Sequence, residues 1–253
     1  MRVREKLGGD LAALIAEGPI TIVAFGDSLT HGALSGTFNY ESVYWNRLRQ
    51  RMNALCDYVP VNVINAGIGG ATAQDSLSRI ERQVLSHSPD LVIVCFGLND
   101  INGTLEEYLA SLREIFERTL AVCDVVFLTP NMLNTYVAED TPTKHLAYAK
   151  ITAEYQNGGR MDAYMAAAIE LAESMGVPVC DAYGAWKRLS KTEDTTKLLA
   201  NRINHPVAEM HALFADLLFD LLFGDMEASD TKESAMYEEK TTDPKDRKDG
   251  IYV

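Results

Sequence analysis

Five short apolar runs, separated by amphipathic stretches, constrain this 253-residue chain more than any other feature. The runs are ITIVAF (20–25), VNVI (61–64), DLVIVCF (90–96), VVFLT (125–129) and VPVC (177–180). Short, continuous and rich in Val and Ile, they read as strands buried on both faces. Residues 41–55, 73–86, 104–121 and 160–176 instead repeat apolar side chains three and four apart, the period of a helix with one buried face. Thr104 with Glu107 matches a capping box, and Gly176 followed by Pro178 marks a helix end. Strands that alternate with helices predict a parallel sheet covered on both sides, a three-layer α/β/α sandwich with five mostly parallel strands. Residues 130–159 form the longest irregular stretch, expected to be helical near 144–156 and partly to overhang a site. A last helix is expected from Pro206, a residue suited to a first turn, to about Phe223. Residues 1–224 read as one domain, and the charged residues 225–253 as a flexible tail.

Sites in open parallel sheets form outside the carboxyl ends of the strands. Three loops fall there: GDSLTHG (26–32) after the first strand, NAGIGGAT (65–72) after the second, and GLND (97–100) after the third. Each combines glycines, which let backbone approach a ligand, with a small polar side chain. The combination suits acyl transfer. Ser28 stands at a strand-to-helix turn as a candidate nucleophile, and a serine hydroxyl needs a neighbouring base. The backbone N–H groups of Ser28 and Gly70, with the Asn99 amide, are candidate donors to an oxyanion. The plainer alternatives are a capping serine, a turn glycine and a turn asparagine. Asp27, Asp100 and Asn65 read as structural groups that satisfy nearby backbone. Tyr44, Trp45, Tyr164, Met165 and Trp186 read as core.

Five histidines compete for the role of base. His87 precedes Ser88-Pro89, at the amino end of the third strand and so at the wrong edge. His145 lies in the long irregular stretch and His211 inside the last helix. His31 is close to Ser28 in sequence but should point away along a turning helix. His205, in NRINHPVAEMH, sits on a loop that can carry it to the serine, and is the favoured base.

These residues, in this order, resemble the SGNH, or GDSL-type, hydrolase family. GDSLT (26–30), NAGIGG (65–70), GLND (97–100) and NHP (204–206) are similar to its four blocks and cover the chain from about residue 20 to 223. The resemblance implies a flavodoxin-like sandwich, ester hydrolysis and the signature residues Ser28, Gly70, Asn99 and His205. One position departs from the pattern. The family often has aspartate three residues before its histidine, and here Arg202 stands there. Arginine cannot accept a hydrogen bond, so another acceptor must orient His205. A backbone carbonyl is the first expectation, Asn201 or Asn204 follows, and Asp181 at the end of VPVC is a further candidate.

Composition narrows the rivals. The formal net charge is −13, so phosphate backbones repel the chain and nucleic acid is not an expected partner. No apolar run is long enough for a membrane span. The N-terminal apolar stretch is interrupted by Asp10 and Glu17 and reads as an amphipathic helix rather than a signal peptide. Four dispersed cysteines form no C-x-x-C pair, which fits a reduced, cytoplasmic protein without a metal. Neither G-x-x-x-x-G-K-[ST] nor a G-x-G-x-x-G after the first strand is present, which weighs against a flavin- or phosphate-binding module. A relative that binds an ester or glycan without cleaving it is the other rival. The expected function is a serine esterase that needs no cofactor and acts on small-molecule esters, acetyl groups on a sugar being the first guess.

Overall fold

A computed structural model describes residues 1–224. The expected tail, 225–253, lies outside the described residues. Five strands form one sheet: β1 (Ile20–Gly26), β2 (Val61–Gly67), β3 (Leu91–Cys95), β4 (Asp124–Leu128) and β5 (Val179–Cys180). Their spatial order is β2-β1-β3-β4-β5 and every pairing is parallel, so the sheet is wholly rather than mostly parallel. The order reverses direction beside β1, which opens a crevice between the loops after β1 and β3. Register sharpens the point. Gly26 pairs with Gly67 on one side and Cys95 on the other, so three strands end level and their loops share one edge.

Helices flank the sheet. Tyr44–Leu55 packs against His211–Phe223, where Tyr44, His211, Phe214 and Trp186 bring their rings together. Leu105–Leu120 packs against Arg160–Ser174, and Phe116 meets Phe127 of β4 edge to face. Phe25 of β1 meets Phe96, just past β3, in the same way at 5.2 Å. Residues of β1 and β3 are almost all fully buried, as their continuous apolar runs require. All four cysteines are free and buried.

Three expectations change. The stretch 73–86 is not one helix. It breaks into Ala73–Ser76, a 3₁₀ turn Leu77–Arg79, Ile80–Gln83 and a second 3₁₀ turn Leu85–His87. Ser76 bonds back to the Thr72 carbonyl, and Arg79 turns its guanidinium inward, which breaks the regular face. A full capping box forms at Thr72 and Asp75, whereas only the Thr104 half of the expected one forms. The last helix begins at His211, not Pro206. Pro206 instead pairs with Leu199 as an isolated bridge, and a 3₁₀ turn Ala208–Met210 intervenes. The long irregular stretch contains one helix, Leu146–Asn157, close to the expected span.

Candidate active site

Ser28 is the first residue of a single helical turn, Ser28–His31, that follows β1 directly. Asp27 caps that turn, with its Oδ1 accepting the Leu29 N–H at 2.9 Å. The turn lies so close to β2 that a Cβ on Gly67 would strike the Thr30 and His31 backbone. Only a residue without a side chain lets the serine's helix rest there. Beneath it, Arg79 lies over the Phe25 ring, 4.6 Å from its centre. Its guanidinium donates to the carbonyls of Gly26 at 3.1 Å and Ala66 at 2.6 Å. These are carbonyls at the ends of β1 and β2, so one buried cation fastens both strand ends below the site. Burial pushes the Arg79 guanidinium down to about 10, with the nearby Asp27 acting the other way.

His205 comes to Ser28 from the far end of the chain. Its Nε2 lies 2.9 Å from Ser28 Oγ. Its Nδ1 lies 2.8 Å from the Leu34 carbonyl oxygen. A carbonyl can only accept, so Nδ1 carries the hydrogen and Nε2 presents a lone pair to the serine hydroxyl. That is the tautomer a base toward Ser28 needs. Burial lowers the ring's pKa, the Leu34 carbonyl raises it, and the charge of nearby His145 lowers it further.

The loop that carries His205 is organised by Asn201. Its Oδ1 accepts from the N–H groups of Ile203, Asn204 and His205 at 3.0, 3.0 and 2.9 Å. Its Nδ2 donates to Asn204 Oδ1. Asn131 adds a bond to the Asn204 carbonyl at 2.9 Å. Arg202, where the family often has aspartate, turns outward and pairs with Asp140 while donating to the Lys197 and Leu199 carbonyls. Asp181 caps the helix Ala182–Leu189, accepting from the Gly184 N–H at 2.8 Å and from the Thr129 hydroxyl. Among the described residues, the Leu34 carbonyl is the group on His205 Nδ1, and neither Asp181 nor the side chains of Asn201 and Asn204 takes that place.

The other two loops meet the first. Residues 68–71 form a tight turn closed by Ala71 N–H to the Ile68 carbonyl, with Gly70 at φ 84°. The third residue of such a turn needs that conformation, which side chains disfavour. The Gly70 N–H and the Ser28 N–H donate to no protein acceptor among the described residues. Asn99 Nδ2 gives one hydrogen to the Ala71 carbonyl at 3.0 Å, which fixes the amide and leaves its second hydrogen available. Asp100 Oδ1 accepts the Ala73 N–H at 2.8 Å and ties the second loop to the third. Burial raises Asp27 to about 7 and Asp100 to about 6. Both accept from backbone N–H groups inside the fold, which acts against that rise. Asn65 does the same for the Gly67 N–H.

The remaining histidines are engaged elsewhere. His31 Nδ1 accepts the Gly69 N–H at 3.2 Å. His211 is buried with Nδ1 facing the Tyr44 N–H at 3.3 Å, and burial drives its pKa down to about 3. His87 lies in a 3₁₀ turn before β3, at the opposite edge. His145 precedes the helix Leu146–Asn157, whose Tyr148 hydroxyl accepts from Asn102 beside Asn99, so part of the long stretch does reach this edge. Sequence reasoning missed Leu34 and Arg79. No side-chain signal marks an orienting carbonyl, and Arg79 stands off the stripe of Ala73, Leu77, Ile80 and Val84, so helical periodicity does not single it out.

Comparison with known proteins bears on the family and the fold. The model of the GDSL-like lipase/acylhydrolase family matches residues 24–213. An acetylxylan esterase of Geobacillus stearothermophilus is 25% identical over 177 residues, 65% of this chain and 73% of that protein. The uncharacterised lipoprotein YqeF of Bacillus subtilis is 35% identical over 81 residues, and the match spans 31% of that protein's length. Among solved structures, Axe2, an acetylxylan esterase from Geobacillus stearothermophilus, superposes with a TM-score of 0.63 at 22% identity, covering 83% of this chain and 95% of that one. LAE5, an alpha/beta hydrolase enzyme from the metagenome of Lake Arreo, gives 0.62 at 24% identity, covering 80% and 94%. No helix among the described residues is long and apolar enough to cross a membrane. The match across most of the chain, together with the level strand ends that gather its three loops, shows that the chain belongs to the GDSL-like lipase/acylhydrolase family and with it to the ester-bond hydrolases.

Proposed function

We propose that the chain is a serine esterase that hydrolyses carboxylic esters through an acyl-Ser28 intermediate. The observation that carries the reading is the chain of bonds from Ser28 Oγ through the His205 ring to the Leu34 carbonyl, at 2.9 and 2.8 Å. Ser28 Oγ attacks the ester carbonyl as His205 Nε2 takes its proton. The carbonyl π electrons move onto oxygen, facing the N–H groups of Ser28 and Gly70 and the free Asn99 hydrogen. Collapse expels the alcohol, which takes the proton from His205. Water then repeats the sequence, losing its proton to His205 and releasing the acid while Ser28 recovers its hydrogen. Loss of one oxyanion donor costs on the order of 3 kcal/mol in such sites.

A small acyl group on a carbohydrate alcohol is the preferred substrate, by likeness to the acetylxylan esterases. The rival reading is a relative that binds without cleaving, and Arg202 in place of aspartate is the observation in its favour. The Leu34 carbonyl removes most of that force, since the ring has an acceptor without a carboxylate. Hydrolysis of a panel of esters by wild type, Ser28→Ala and His205→Ala tests the proposal, with a fluorophosphonate as covalent probe of Ser28. Both variants should lose turnover, and the probe should label wild type but not Ser28→Ala. Activity on short acyl esters that survives Ser28→Ala removes the mechanism.

A further inference from the structure

The hairpin that holds His205 also carries two exposed rings that the mechanism does not use. Its Ala33 and Phe38 pair antiparallel, Leu34 N–H donates to the Thr37 carbonyl at 2.9 Å, and Asn39 N–H to the Gly32 carbonyl at 2.8 Å. Phe38 is 52% exposed and Tyr40 is 50% exposed. Their ring planes agree within 11°, with centres 6.4 Å apart. The His31 ring lies 4.2 Å from Phe38 and 6.2 Å from Tyr40, tilted 34° and 28° to them. Single exposed aromatics need no explanation, but three near-parallel rings held in one place do.

The rings stand beside the nucleophile. His31 ends the helical turn that Ser28 begins, and its Nδ1 takes the Gly69 N–H. A Cβ on Gly69 would sit 3.7 Å from that nitrogen and 3.8 Å from Ser28 Cβ, so one residue's breadth separates them. We propose that Phe38 and Tyr40, backed by His31, form a platform on which the sugar ring of the alcohol part of the ester lies. This rests on the reading of Ser28 as nucleophile. Three features favour a sugar over an alkyl chain. The faces are flat and open, so an alkyl chain would stay half wet, whereas a pyranoside sets its C–H face on the ring and keeps its hydroxyls in water. The rim is polar at the Tyr40 hydroxyl, which faces His31 Nε2 at 3.5 Å. The platform shares its hairpin with Leu34, so it stands on the side of His205, the group that gives its proton to the leaving alcohol.

The test compares hydrolysis of an acetylated methyl pyranoside with that of ethyl acetate, which has no ring, in wild type, Phe38→Leu, Phe38→Trp and Tyr40→Ala. The preference for the pyranoside, as a ratio of kcat/KM values, should fall about tenfold in Phe38→Leu and Tyr40→Ala, through KM, and persist in Phe38→Trp. A ratio unchanged in both, or a parallel loss on the two esters, overturns the platform, as does a greater loss on a hexyl ester than on the sugar. Saturation-transfer NMR of unacylated methyl pyranoside gives a readout independent of chemistry. Signal in wild type that Phe38→Leu abolishes supports the platform even if neither ester is cleaved, in which case only the esterase reading fails. No signal in wild type overturns it.

Discussion

A carbonyl behind the base, rather than a carboxylate, has a consequence that pH can read. In the proposed acylation His205 becomes an imidazolium, and its Nδ1–H points at a neutral oxygen, Leu34 O. The bond from the cation to a neutral oxygen is already charge-assisted, whereas with a carboxylate both partners would be charged; within the range of about 1.5 to 3 kcal/mol for bonds to charged groups, the neutral oxygen gives about 1 kcal/mol less support. That corresponds to roughly fivefold in rate relative to a carboxylate-backed base. The same weakness acts on the resting enzyme. Burial already penalises the charged ring and places its pKa below the ordinary 6.5. The neutral ring is the active one, so activity is full above that pKa and is lost as pH falls through it. The acid limb of kcat/KM, which reports the free enzyme, should therefore lie below 6.5, with rate falling about tenfold per unit beneath it. Two carboxyls in the site loops ionise nearby, Asp27 at about 7 and Asp100 at about 6. Asp27→Asn and Asp100→Asn separate them, since each keeps an oxygen for the Leu29 or Ala73 N–H. A pH–rate profile of kcat/KM on an aryl acetate is the assay. An acid limb at or above 6.5 that persists in both asparagine variants would refute the carbonyl-backed base.

Two further outcomes follow from the same structure. His211, lowered to about 3 by burial, makes the unfolded chain bind a proton first, so stability present above 6.5 should be lost as pH falls, by up to roughly 5 kcal/mol near pH 3. Asp27 and Asp100, raised by burial, act in the opposite sense between about 4 and 7, so urea unfolding of wild type against His211→Phe over pH 4 to 7 isolates the term, and a pH-independent difference would refute it. Asn201→Ala strips one acceptor from three backbone N–H groups and should cost about 3 kcal/mol of stability, at about 1 kcal/mol each. It should also lower kcat more than it raises KM, because the loop it organises carries the base and not the sugar platform; a loss confined to KM would count against that division.

What the sequence reveals and what it hides divide along a physical line. Continuous Val/Ile runs announce buried parallel strands because both faces must be apolar, and β1 and β3 are buried as expected. Gly and small polar residues at the strand ends announce the three loops, since close approach leaves few other choices. The stretch 73–86 was misjudged because periodicity cannot foresee Arg79 turning inward to hold the Gly26 and Ala66 carbonyls. Pro206 suits a helix start, yet its pairing with Leu199 holds it in a bridge that aims His205. Phe38 and Tyr40 drew no notice, because an irregular hairpin has no period against which an exposed ring stands out.

Arg202 shows the deepest limit. Read along the chain, it replaces the aspartate that should support the base, and leaves a backbone carbonyl as the first expectation without saying which one. In three dimensions the support comes from a main-chain oxygen on a hairpin 171 residues away. Every residue has such an oxygen, so no substitution at Leu34 itself removes it, and no side-chain pattern records it. What can remove it is a change in the hairpin's path. The base then depends on turn geometry at residues 33–38 rather than on the identity of any acid, and the arginine is free for a different task, anchoring the His205 loop to Asp140. An altered turn should accordingly harm the imidazole's alignment more than any single carboxylate change near it.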